Sequence, residues 1–143
     1  MSDLYETDIL AWSEEQAGRL LRVAANDRRN DESPDWANIV EEIESVGRSQ
    51  LSSVRSLLIQ ALAHDLKAEA WPLSQSVSGW RAEARRLRIG AAEAFAPSMR
   101  QRIDVPDLYA KARRILPDTI DGQPPLPVPT VCPVTLDELL GEP

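Results

Sequence analysis

Apolar residues recur at helical spacing along most of the chain, and the longest such run begins at Trp36. Positions three, four and seven residues apart stay apolar until Trp71, which is the pattern of a helix with one buried face. Ser33 followed by Pro34 is a typical helix start. Pro72 ends the pattern because the residue before a proline disfavours helical geometry. One long helix is therefore predicted, with Gly47 or the pair at 52–53 as the place for any kink.

Shorter helical patterns flank this run on both sides. Ser13 and Thr135 each open a capping box, in which a residue three positions on returns the N-cap hydrogen bond. Gly141 is typical of a helix C-terminus. Further helical segments are predicted at residues 8–12, 14–28, 79–95, 107–116 and 136–140.

Residues 118–134 are rich in proline and predict an extended strap rather than a helix. Strand-like alternation of useful length is absent from the sequence. The predicted fold is therefore all-α: a bundle of about four main helices, crossed by the strap and a short terminal helix. A length of 143 residues suits one domain over residues 1–143. The four tryptophans near predicted helix ends (Trp12, Trp36, Trp71 and Trp80) are predicted core anchors.

Composition narrows the compartment and the chemistry. Apolar residues make up 43% of the chain and charged residues 27%, which is typical of a soluble protein. Cys132 is the single cysteine, so no intrachain disulfide forms, as is usual in a reducing cytosol. The acidic start lacks the features of a signal peptide, and no apolar run reaches membrane-spanning length. A cytoplasmic protein without membrane contact is expected.

Charge is unevenly distributed along the chain. Residues 1–47 carry 12 acidic and 4 basic residues, residues 48–116 carry 6 and 12, and residues 117–143 carry 5 and none. Such segregation is typical either of helices that pair by charge or of solvated faces. It also fits an anion-binding or nucleic-acid-binding face, for which Arg81, Arg85 and Arg88 are the candidates at helical spacing.

Several polar residues fall on or beside the apolar face of the long helix. Glycine inside a helix costs about 1 kcal/mol against alanine, so Gly47 indicates a packing or functional requirement. Buried polar groups need partners, which predicts either a structural hydrogen-bond network or a polar pocket. The candidate cluster is Glu41, Glu44, Gly47, Gln50, His64 and Asp65.

Recognisable catalytic and metal-binding patterns are missing from the sequence. Ferritin-like metal sites pair glutamate with histidine three residues on, but Ala61 stands at that place before His64. Cys132 has no predicted base beside it. No catalytic residue, metal ligand or cofactor is predicted, which favours a non-enzymatic role.

The central run Glu41-Glu42-Ile43-Glu44-Ser45-Val46-Gly47-Arg48-Ser49-Gln50, preceded by Asp35-Trp36, resembles the bacterial domain-of-unknown-function 29 family. Tyr5-Glu6-Thr7-Asp8, Trp12-Ser13, His64, Leu66-Lys67, Ser78-x-Trp80, Pro97-Ser98 and Cys132-Pro133 continue the resemblance in order. Ile9 and Val134 stand where the family pattern leads us to expect aromatic residues, and Lys67 lacks the expected following aromatic. The resemblance implies a small all-helical bacterial protein and transfers no catalytic residue.

Three functions are consistent with these observations. The leading hypothesis is a non-enzymatic cytoplasmic interaction domain that self-associates or binds another protein. The second is a nucleic-acid-associated accessory protein that uses the arginine face. The third is a metal-dependent hydrolase that uses Glu41, Glu44 and His64.

Overall fold

The computed structural model describes residues 3–29 and 31–141, and within them the fold is all-α, as predicted. A single isolated bridge pairs Ile120 with Gln123, and the described residues form no strand. The helices are α1 (Leu4–Thr7), α2 (Ile9–Ala25), α3 (Trp36–Ala70), α4 (Val77–Ala94), a 3₁₀ helix (Pro97–Arg102), α5 (Val105–Arg114) and α6 (Leu136–Leu139).

Backbone contacts divide the chain into two compact units, and the boundary lies within α3, between Ser52 and Ser53. The first unit contains the chain up to Ser52 together with Ala96–Arg102. The second contains Ser53–Phe95 and the chain from Ile103 onward. The single domain predicted over residues 1–143 stays a prediction.

In the first unit, the two helical segments predicted at 8–12 and 14–28 form one helix, α2. The Asp8 carboxylate accepts from the backbone N–H of Ala11 at 3.0 Å, so Asp8 is the N-cap and the helix runs unbroken from Ile9. The capping box predicted at Ser13 is wrong because Ser13 lies inside this helix. Its hydroxyl is fully buried and donates to the carbonyl of Leu10 at 2.9 Å.

The start of α3 also differs from the prediction. Ser33 donates to the carbonyl of Arg29 and does not cap the helix. Asp35 lies just before the first helical residue and accepts from the backbone N–H of Asn38. The predicted end before Pro72 is correct, since α3 ends at Ala70, and the helix continues without interruption through Gly47 and Ser52.

Asp27 joins the end of α2 to the start of α3. Its carboxylate accepts from the Trp36 indole N–H at 2.8 Å and from the Arg29 guanidinium. These hydrogen bonds hold the pKa of Asp27 well below its usual range, the Arg29 bond being the main cause. The end of α2 therefore lies beside the start of α3, and side chains of the connection hold the two together by hydrogen bonds.

The 3₁₀ helix was not predicted; it follows the helix predicted over residues 79–95. The backbone N–H and the hydroxyl of Ser98 both donate to the Asp8 carboxylate, each at 2.7 Å. Desolvation opposes the charge of Asp8, but these bonds and the bond from Ala11 together lower its pKa. One carboxylate thus caps α2 and anchors the 3₁₀ helix.

The second unit has a core of small and branched side chains from α3, α4 and α5. Val54, Leu58 and Ala61 of α3 are fully buried, as are Ala84 and Ala91 of α4. Alanine at the contact positions lets helix axes approach closely.

The proline-rich segment lies against this core in extended form, as predicted. The indole N–H of Trp71 donates to the carbonyl of Gln123 at 2.8 Å, and the N–H of Leu126 donates to the carbonyl of Ala70. The Tyr109 hydroxyl donates to the carbonyl of Pro129. Of the four tryptophans, Trp71 alone is buried; the other three are half-buried, so their predicted role as core anchors holds only in part.

The predicted capping box at Thr135 is present and opens α6. Gly141 follows the helix with a φ of +81°, the left-handed conformation that favours glycine at this place. The terminal segment is therefore a helix of about one turn, as its sequence indicates.

α2 and α3 approach each other very closely at Gly47. A Cβ at this position would lie 2.2 Å from the Ser13 hydroxyl and 2.9 Å from the Leu10 Cδ1 atom. It would also lie 3.1 Å from the Leu10 Cα, which belongs to the backbone and cannot rotate away. Gly47 is buried and has an ordinary helical conformation, so the requirement for glycine here is one of space.

We expect Gly47→Ala to destabilise the protein by about 1–3 kcal/mol, because the overpacking outweighs the gain of about 1 kcal/mol in helix propensity. Urea denaturation followed by circular dichroism measures the difference. Gly18→Ala is the matched control, since its Cβ would meet only the end of Arg22 at 4.0 Å. The control is expected to be neutral or stabilising, and equal effects of the two substitutions would contradict the packing explanation.

Candidate functional site

The predicted glutamates of α3 are paired within their own helix. Arg48 donates to Glu41 at 2.5 Å and to Glu44 at 3.3 Å, and the three side chains are between 37% and 60% exposed. Exposed pairs of this kind contribute little to stability. Gln50, a further member of the predicted cluster, is half-buried on the same helix.

His64 and Asp65 belong to the second unit, whereas these glutamates belong to the first. The six predicted residues are therefore divided between the two units: Glu41, Glu44, Gly47 and Gln50 belong to the first, and His64 and Asp65 to the second. In the part of the chain that the structure describes, no group of three or more histidine, cysteine, aspartate or glutamate residues is arranged to hold a metal ion.

His64 presents a buried ring nitrogen, Nδ1, that has no hydrogen-bond partner among residues 3–29 and 31–141. Burial lowers the pKa of the imidazole, and the charge of Lys67 lowers it further. The nearby carboxylates of Glu83 and Asp65 act in the opposite direction. The net effect favours the neutral ring.

Asp65 joins α3 to α4 through two of the predicted anion-binding arginines. Its two oxygens accept one bond each, from Arg81 at 2.9 Å and from Arg88 at 2.6 Å. The Asp65 and Arg88 side chains are only 26% and 28% exposed, so solvent screens this pair less than a surface pair. Interhelical ion pairing, one of the three explanations given for the uneven charge, thus accounts for Arg81 and Arg88.

Arg85 lies between these two arginines in the sequence of α4, and it is exposed. It has no hydrogen-bond or ion-pair partner in the described part of the chain. All three arginines line one cleft of about 370 Å³ in the second unit. This arginine cleft is lined by Arg81, Arg85, Arg88, Leu62, Asp65, Leu66, Glu69, Tyr109, Pro133, Val134, Glu138 and Leu139.

The sequence did not point to the other walls of the arginine cleft. Tyr109 comes from α5 and is almost fully buried; desolvation raises the pKa of its hydroxyl, with the charge of Glu69 adding to the effect. Leu139 comes from α6, which the capping box predicted as an element but not as a wall of a cleft. Periodicity identifies which face of a helix is apolar, but not which segments meet across a groove.

A second surface feature lies on the antiparallel pair of α2 and α3. On α3, the residues Ile39, Ile43 and Val46 form a stripe rotated roughly 40–100° from Gly47, and Ile39 and Val46 are 37% and 41% exposed. On α2, apolar residues form a second stripe, which is rotated in the same sense from Leu10 and Ser13, the residues that face Gly47. In an antiparallel pair, two stripes that are rotated in the same sense from the contact lie on the same side of the pair. We call this side the α2–α3 apolar face: Ile9, Trp12, Leu20 and Val23 with Ile39, Ile43 and Val46.

The sequence matches the model of the family described as domain of unknown function DUF29, over residues 4–143. The chain belongs to this family. The resemblance carried by the central run of α3 is thereby confirmed. Gly47 and Ser13, both part of that resemblance, are residues that meet where α2 and α3 approach very closely.

The fold is similar to the crystal structure of an alpha-helical protein of unknown function from Rhodospirillum rubrum. The two sequences are 27% identical, the match covers 99% of this chain and 92% of that chain, and the TM-score is 0.83. No curated protein matches the sequence. None of the described helices combines the length and the apolar character needed to cross a membrane.

We expect Asp65→Asn to destabilise the protein by about 1–2 kcal/mol, because it removes the acceptor charge from the partly buried guanidinium of Arg88 and from the more exposed Arg81. Chemical denaturation at low and at high salt measures the loss. Glu15→Gln, which breaks the exposed pair with Arg19, is the control and should cost less than about 0.5 kcal/mol. Losses of the same size in both variants would show that the Asp65 pairs act as ordinary surface pairs.

We expect His64 to make stability depend on pH. Because the folded protein lowers the pKa of this imidazole, the unfolded chain takes up the proton first. Stability is then retained above the ordinary pKa of about 6.5 and falls as the pH drops below it. Melting temperatures at about pH 7.5 and about pH 5.5 should therefore differ more for the wild type than for His64→Gln. Equal differences would exclude His64 as a source of this dependence.

Proposed function

We propose that the chain is a non-enzymatic, cytoplasmic interaction domain that binds another protein through the α2–α3 apolar face. The observation that carries the proposal is the stripe Ile39, Ile43 and Val46, in which Ile39 and Val46 are exposed and Ile43 is half-buried. The adjoining sector of α3 already faces α2 at Gly47, and Val40 in that sector is buried. An apolar stripe that remains exposed on such a helix is typical of a surface that receives a partner helix.

Aromatic residues support the same surface. The Tyr5 ring packs edge-on against Trp12, with ring centroids 4.9 Å apart, and Tyr5 remains 57% exposed. Trp12 itself is half-buried. Tyrosine and tryptophan are enriched among the residues that contribute most to binding at protein interfaces.

Charge favours a partner other than a second copy. Residues 1–47 carry a net charge of −8, and the exposed carboxylates of Asp35 and Glu42 border the stripe of α3. Two copies that met through this face would bring acidic borders together, which opposes association. A partner with apolar residues at helical spacing and basic flanks would complement both the apolar stripe and the acidic border of the face.

The lone cysteine is consistent with a reducing compartment, which supports the cytoplasmic part of the proposal.

We expect the full chain to bind a synthetic amphipathic helix whose leucine face is flanked by lysines, and to bind the same helix with glutamate flanks much more weakly. Val46→Glu should abolish binding because it places a charge within the apolar contact. The added carboxylate would by itself strengthen attraction to a cationic peptide, so a loss of binding reports the apolar contact. Isothermal titration calorimetry measures both affinities.

Ser52→Glu adds the same charge to an exposed position on α3 outside the stripe, and this variant should bind like the wild type. Light scattering after size exclusion tests the alternative occupant. If the wild type is a dimer and Val46→Glu is a monomer, the face is still an interaction surface, but its partner is a second copy of this chain. A monomeric wild type that binds neither peptide, or a Val46→Glu variant that behaves like wild type in both assays, would overturn the proposal.

A further inference from the structure

The arginine cleft has a size and a composition suited to a small ligand. Its volume of about 370 Å³ falls within the range of small-molecule sites, at the lower end. Leu62, Leu66 and Leu139 contribute apolar side chains to its lining, and Tyr109 contributes an aromatic ring. Such a lining binds the apolar body of a ligand, while its few polar groups fix the orientation.

The lining holds three arginines and three carboxylates, but only two of the three arginines have a carboxylate partner. Asp65 gives one oxygen to Arg81 and the other to Arg88. Glu138 accepts from the backbone N–H and the hydroxyl of Thr135 in the capping box that begins α6. Asp65 and Glu138 therefore already have partners. Among the described residues, Glu69 is left as a carboxylate without a donor and Arg85 as the one guanidinium of the lining without a protein acceptor.

We infer that the arginine cleft binds a monoanionic organic acid, with its carboxylate on Arg85 and its apolar body against the leucines. A guanidinium presents two parallel N–H groups that match the two oxygens of a carboxylate. One unpaired arginine matches one anionic group. A nucleic-acid backbone, which presents a charge at every phosphate, would need several such arginines. This inference does not depend on the interaction role proposed for the α2–α3 apolar face.

Two sources can supply this chemistry: a free organic acid, or the C-terminal carboxylate of a peptide. N-acetylphenylalanine is a probe for the first, and an acetylated Gly-Gly-Phe peptide with a free C-terminus is a probe for the second. The corresponding amides have nearly the same shape without the charge. Binding by the shorter acid alone would indicate a free acid, whereas tighter binding by the peptide would indicate a chain terminus.

The test is a titration of the full chain with each probe, observed through the NMR signal of the Arg85 Nε–H group and through calorimetry. We expect the acid to bind at least about tenfold more tightly than its amide, since a hydrogen bond to a charged group is lost in the amide. Arg85→Gln should weaken binding of the acid by a similar factor. Because Arg85 has no protein partner in the described part of the chain, this variant should fold normally.

Arg86→Gln is the matched control. Arg86 is adjacent in sequence, carries the same charge and pairs with Glu83 at 2.5 Å, and it does not line the cleft. Its removal should leave the affinity unchanged. The inference would be overturned if neither acid bound at millimolar concentration, if acids and amides bound equally, or if Arg85→Gln and Arg86→Gln had the same effect.

Discussion

The close approach of α2 and α3 at Gly47 is the constraint on which the first unit depends. The missing side chain lets the Leu10 backbone and the Ser13 hydroxyl come within a distance that any Cβ would prevent. Ser13 can occupy such a contact because its own helix satisfies its hydroxyl, so burial leaves no unpaired donor. A larger residue at position 47 would force the helices apart and expose Leu10, Ala17 and Val40, which are now buried. Glycine at position 47 therefore lowers helix propensity at one residue, but it allows apolar side chains to be buried along the contact between α2 and α3.

The same contact determines which apolar residues remain at the surface. Because Gly47 marks the direction in which α3 faces α2, the stripe of Ile39, Ile43 and Val46 necessarily lies to one side of the contact. A single partner helix cannot cover an apolar sector this wide, and α2 covers only the part that contains Val40 and Gly47. The partly exposed stripe is thus a consequence of the width of the apolar pattern.

Sequence reasoning succeeded where the signal is local. The capping box at Thr135, the helix stop before Pro72 and the extended proline-rich segment all depend on neighbouring residues, and all three are present. It failed at Ser13, where a local pattern competes with a stronger cap. Asp8 begins the helix five residues earlier, and its second anchor, Ser98, is distant in sequence. The sequence identified Gly47 as constrained, but its partners Leu10 and Ser13 lie on another helix and could not be inferred from periodicity.

The arginine face shows the same limit for charge. Spacing alone places Arg81, Arg85 and Arg88 on one side of α4 and makes all three equal candidates for anion binding. Asp65 distinguishes them, because its two oxygens accept hydrogen bonds from Arg81 and Arg88. Arg85 differs from Arg81 and Arg88 only because those two arginines already occupy both oxygens of Asp65. Counting donors and acceptors across a helix contact therefore separates a structural arginine from an available one, whereas net charge, which balances in this lining, does not.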